Sequence, residues 1–160
     1  MLRKLLIIPT ALVFIFAVSA CSSSSIEESG DAPIKTCQAA SGEDLKNIND
    51  AMIRSKYQVA SGVTADFSAE DTEAIKQVFP SYVSPRVFAA KIPGDNGESV
   101  VGLWGIQKFD YGWRITALND QTKKFSNLGA DISDSSATGR VNAVMLELSA
   151  NTNVLSCLEK

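Results

Sequence analysis

Histidine is absent from all 160 residues. That absence removes Ser-His-Asp and Cys-His catalysis, the His-Glu-x-x-His zinc helix and imidazole-based metal capture. No Ser-x-x-Lys run supports a serine–lysine acyl enzyme. No Walker loop, Gly-x-Gly-x-x-Gly turn or twelve-residue calcium loop occurs, so no cofactor and no metal is expected. A basic surplus is also missing. The formal charge is −3, which argues against a nucleic-acid partner and against attraction to an anionic surface by bulk charge.

Long apolar runs are scarce, and the one present is at the start. Arg3 and Lys4 precede an uncharged stretch from Leu5 to Ala20. Its sixteen residues fall short of the about 20 that a stable membrane helix needs. They suit the apolar core of a cleaved secretory signal. The run ends in Val18-Ser19-Ala20-Cys21. This resembles the lipobox of bacterial lipoproteins: an aliphatic residue, two small residues, then cysteine. The resemblance covers residues 1–21. It implies diacylglyceryl transfer to the Cys21 sulfur, cleavage before Cys21 and further acylation of the new amino group. Two chains suffice for anchoring, because each buried CH₂ contributes about 0.8 kcal/mol and a single chain holds only marginally. Two other readings stay open: ordinary signal-peptidase cleavage, for which Val18 and Ala20 also qualify, and an uncleaved anchor.

With residues 1–20 removed, Arg3 and Lys4 go too, and the formal charge becomes −5. Residues 21–36 begin Cys21-Ser22-Ser23-Ser24-Ser25 and continue with Glu27, Glu28, Gly30, Asp31 and Pro33. This composition cannot bury enough apolar surface to offset ordering and reads as a disordered tether. Residues 37–160 are left as a single domain with room for a core. Three cysteines are an odd count. If Cys21 carries lipid, Cys37 and Cys157 remain as an even pair for a disulfide in an oxidising compartment. Free thiols or a redox pair are the alternative, without a Cys-x-x-Cys motif to favour them.

Within the domain, the expected class is α+β: a three-stranded antiparallel sheet packed with about four helices. Ser41 caps a helix expected over Glu43–Tyr57, with Asp44 as a short capping-box acid. Ser68 caps a second over Ala69–Phe79, which Pro80 stops. Acids Glu70, Asp71 and Glu73 in its first turn suit the positive helix end better than a metal. The period then changes to two. Strands are expected at Val87–Ile92, Glu98–Phe109 and Trp113–Leu118, joined by Pro93–Gly97 and Asp110–Gly112 turns. Both faces of the middle strand are apolar, which places it centrally with a helix layer on at least one side. A short helix follows near Asn119–Leu128, then Thr138–Ser149, then a last one after Asn151. Beside the start of the first helix, that last helix would bring Cys157 to Cys37.

Candidate binding residues are the aromatics Trp104, Phe109, Tyr111 and Trp113, with Tyr111 expected at a turn and Trp113 half-exposed. Such a set stacks on a sugar or packs on a protein. The competing reading makes Trp104 and Trp113 core residues. The domain is also similar to secreted lipoproteins of Gram-positive actinobacteria through Gly102-Leu103-Trp104 and Phe125-Ser126 before a terminal cysteine; this similarity implies no particular activity. The expected function is a membrane-anchored, extracytoplasmic, non-catalytic module binding an envelope protein or glycan. In an organism with two membranes the outer one is an alternative location. The alternative function is a small carboxylate-dependent envelope hydrolase, with Asp110 and Asp120 near strand ends. It requires two acids converging in one cleft.

Overall fold

The computed structural model describes residues 37–109, 112–129, 133 and 135–159. Five antiparallel strands run in chain order: β1 (Gln38–Ala39), β2 (Val63–Asp66), β3 (Val83–Pro93), β4 (Ser99–Phe109) and β5 (Gly112–Ala117). The α+β class and the β3–β4–β5 meander agree with the sequence pattern. The sheet has five strands rather than three. β1 has two residues and β2 four, too few for an alternating pattern to stand out.

The helices are α1 (Gly42–Asp50), α2 (Ala69–Val78), α3 (Asp120–Phe125), α4 (Ala137–Ser149) and α5 (Val154–Leu158), with 3-10 turns at Ser55–Tyr57 and Ala150–Thr152. Five α-helices thus replace the expected four. α1 starts as its capping box requires: the Ser41 hydroxyl accepts from the Asp44 N–H at 3.1 Å, and the Asp44 carboxylate accepts from the Ser41 N–H at 3.4 Å. It stops at Asp50 rather than Tyr57. Asn49 holds the Val59 backbone through two hydrogen bonds, 2.8 and 3.0 Å. The Ile53 N–H donates to the Phe125 carbonyl at 3.1 Å, and the Asn127 N–H to the Ala51 carbonyl at 2.8 Å. These long-range bonds take the place of the next helical turn. At the other end of the chain, Asn153 rather than Asn151 precedes α5, in the left-handed region at φ 56°.

Helices cover both faces of the sheet. One face presents Phe88, Ala90, Ile92, Trp104 and Ile106 to Ile48, Met52, Tyr57 and Phe125, from α1, α3 and their flanking turns. The other presents Ala65, Val87, Ala89, Leu103 and Phe109 to Ile75, Val141, Met145 and Val154, from α2, α4 and α5. Strand alternation therefore supplies two cores. Gly102 makes room on the first face: a Cβ there would lie 2.4 Å from the Trp104 ring and 2.7 Å from Ile92 Cδ1.

β5 ends opposite Trp104, so the outer part of β4 lacks a strand on that side. Side chains at the start of α3 satisfy its backbone instead. The Leu103 N–H donates to Thr122 Oγ1 at 2.7 Å, and Asn119 Nδ2 donates to the Val101 carbonyl at 2.9 Å.

Candidate functional site

The structure separates the expected aromatic set. Trp104 is fully enclosed and meets Phe88 edge-on at 5.3 Å between centroids. Its indole N–H has no hydrogen-bond partner. Phe109 is buried and meets Tyr82 edge-on at 5.6 Å. Neither side chain offers surface to a partner: their places in β4 turn them into the two cores. Tyr111, Asp110 and Cys21 lie outside the described residues.

Trp113 is different. It is 43% exposed, and among the described residues it is the exposed large aromatic. Lys108 is its direct cross-strand neighbour on β4. The Lys108 ammonium lies 5.7 Å from the indole centroid, and the Arg86 guanidinium carbon 5.1 Å. Each such contact is worth about 0.5–1 kcal/mol at an exposed site. Arg86 also reaches Asp44 Oδ1 at 3.3 Å, and Asp66 of β2 is its cross-strand neighbour. The site is therefore a row across four strands, with the Trp113 plane on β5 at one end, Lys108 and Arg86 on β4 and β3 beside it, and the carboxylates of Asp66 on β2 and Asp44 on α1 behind. It can stack on an apolar face and donate hydrogen bonds to an anionic oxygen. Sequence reading found Trp113 but missed Arg86 and Lys108, because contacts between strands carry no local signal.

The cysteines meet as a pair. Cys37 and Cys157 have Sγ atoms 2.08 Å apart and Cα atoms 6.3 Å apart, across 120 positions. The helix that brings them together is α5, which lies on β2 and β3 rather than beside α1.

The buried acids do not converge. Asp44 lies on α1 over one face of the sheet and Asp71 on α2 over the other. Asp44 is engaged by Ser41 and Arg86, and Asp71 accepts from Asn151 Nδ2 at 3.2 Å. Asp120 is exposed in the first turn of α3. Among the described residues, no group of three Cys, Asp or Glu side chains is placed to hold a metal, and no helix is long and apolar enough to cross a membrane.

One titratable pair is shifted by its neighbours. In the β3–β4 turn, Asp95 accepts from the Lys56 ammonium and, at 3.0 Å, from the Tyr57 hydroxyl. The Lys56 hydrogen bond, then the Tyr57 one, hold the Asp95 carboxyl below the usual carboxylate range. The Asp95 hydrogen bond raises Lys56 in return. Both groups are at the surface, so this is local anchoring of a turn.

No protein-family model, curated protein or solved structure matches the chain.

Proposed function

We propose that the protein is an extracytoplasmic lipoprotein, anchored to the cell membrane through lipid on Cys21, whose folded domain is a non-catalytic binding module of the envelope. The observation that carries this reading is the Cys37–Cys157 pairing. Disulfides of this kind persist in compartments outside the reducing cytosol. The pairing leaves Cys21 as the one remaining cysteine of the three, at the end of a secretory-type apolar run. Mass spectrometry of the mature N-terminus tests the anchor. The expected species begins at Cys21 and carries acyl mass; an intact Met1 or an unmodified Cys21 overturns it.

The binding surface is the row around Trp113. A half-exposed indole flanked by Arg86 and Lys108 suits an envelope protein or a glycan that offers a flat apolar face beside an acidic group. In-cell cross-linking followed by pull-down tests it. Trp113→Ala should lose most of the captured partner while keeping the fold, since this residue lies outside both cores. Capture unchanged by Trp113→Ala and by Lys108→Ala would move the binding surface elsewhere.

A further inference from the structure

We propose that the groove between α5 and the outer part of β4 receives one acyl chain of a phospholipid from the membrane that holds the protein. The floor is Val101 and Leu103 of β4, and the far wall is Leu155 and Leu158 of α5. Asn119 and Lys91 stand at the rim, and Glu159 carries the opposing charge there. The volume is about 300 Å³. That is about ten times the ~30 Å³ share of one water in the liquid, so the groove has room for several methylene groups.

Several features favour an alkyl chain. Val101 is 37% exposed and Leu155 45%, so the groove keeps two large aliphatic side chains in water. Covering them is favourable by the ordinary hydrophobic term. The cover that α4 gives β4 is centred at Gly105, where an added Cβ would meet Met145. Leu103 and Val101 lie two and four residues further back along the strand. Asn119 is already bonded to the β4 backbone, so the rim is fixed rather than free to close. Lys91 supplies one cation for a phosphate head. A second protein copy is a poor occupant: the groove is lined by seven residues, whereas a stable interface takes about 800 Å² and roughly 20–30 residues per partner.

Where the chain enters the fold places a membrane within range. Cys37, the first described residue, is bonded to Cys157 on α5, the helix that builds the groove wall. Cys21 is sixteen positions earlier. Covalent geometry limits that span to about 3.5 Å per residue, so the groove cannot stray far from a bilayer that holds Cys21. The choice of membrane lipid therefore rests on the lipoprotein reading above, whereas the apolar groove does not.

The test is photolabelling. Full-length lipidated protein is reconstituted in vesicles containing phosphatidylglycerol with a diazirine near the end of one acyl chain. After irradiation, labelled peptides are located by mass spectrometry. The expected label falls on the segments holding Val101–Leu103 and Leu155–Leu158. Leu155→Asp should reduce it about tenfold, because a charge opposes filling the groove. Val101→Trp fills the same space without adding charge and should reduce it similarly, with circular dichroism unchanged. Label spread equally over the exposed Ile53, Trp113 and Leu146, or no label in the groove of an anchored protein, overturns the proposal. Cross-links joining two chains through this groove overturn it in favour of a dimer. The Cys21→Ser chain, mixed with the same vesicles, separates the two readings. Groove label on that chain, together with a wild type that proves unlipidated, removes the anchor and keeps the groove. A lipidated wild type with no groove label removes the groove and keeps the anchor.

Discussion

The Asp95 carboxylate shows how one side chain fixes a turn. Gly94 and Gly97 shape the backbone there, with the Gly94 N–H donating to the Glu98 carbonyl at 2.7 Å and Gly97 at φ 79°. Lys56 and Tyr57 then fasten the turn to the chain after α1. Because its folded-state pKa is lowered, Asp95 contributes stability that is present above its unfolded value and lost as pH falls through the folded one. Lys56 runs the opposite way: its pKa is raised, so its share is present below the unfolded value and lost as pH rises through the folded one. A carboxyl-detected NMR titration should find Asp95 below the ordinary aspartate range. Tyr57→Phe should move it partway back, and an ordinary titration in the wild type would remove the local account. A second residue-scale prediction concerns Gly102. Gly102→Ala drives a methyl into Trp104 and Ile92 and should cost about 1–3 kcal/mol by overpacking, read from chemical denaturation. A neutral result would mean that the Trp104 ring has somewhere to move.

Among the elements, α5 is the one that depends most on a single covalent bond. It has five residues, no side-chain N-cap and a left-handed residue in front. A helix that short is unstable alone. Val154 buries itself in the core, and Cys157 ties the last turn to Cys37. Reduction should lower stability by about 2–5 kcal/mol, measured by thermal unfolding with and without reductant. The paired Cys37→Ser and Cys157→Ser chain should show the same loss without reductant. Hydrogen exchange should quicken first in Val154–Leu158 and in β1. Uniform quickening over β3 and β4 instead would mean that the bond supports the whole sheet. The elements also show what the sequence reveals. Ser41 and Ser68 act as caps as their local pattern implies, because a cap is chosen by residues three positions away. The early end of α1 was not legible: it depends on Asn49 meeting Val59 and on Ala51 and Ile53 meeting the chain after α3. β1 and β2 did not enter the expected sheet because short strands are defined by their partners, here Val63 and Thr64 for β1 and Phe88 and Ala89 of β3 for β2.

Over the whole molecule, the two apolar faces of β4 gave a usable forecast of layering. Helices cover the sheet on both sides, as Trp104 and Leu103 pointing opposite ways requires. The row around Trp113 was only partly visible. Trp113 was legible as an aromatic next to a tight turn, whereas Arg86 belongs to a strand 27 positions earlier and joins it only through the sheet. Edge protection follows the same global logic. β1 is too short to template another strand, and Arg114 places a charge on β5, so both margins discourage edge pairing. Native mass spectrometry should accordingly show the detergent-solubilised protein free of sheet-mediated dimers, and substituting Arg114→Val should increase self-association. No increase would show that the β5 margin is protected by something other than its charge.

The bond between Cys37 and Cys157 also decides how the domain bears load. A pull applied to the chain ahead of the domain enters at Cys37. From there it passes through sulfur to Cys157 without drawing on the hydrogen bonds of β1. The 119 residues inside the covalent ring cannot be drawn out end to end between these two points, so a load applied elsewhere on the surface acts on a closed loop. Reduced, the same pull would meet β1 first and peel it from Val63 and Thr64. The oxidised domain thus resists being peeled open from its first strand.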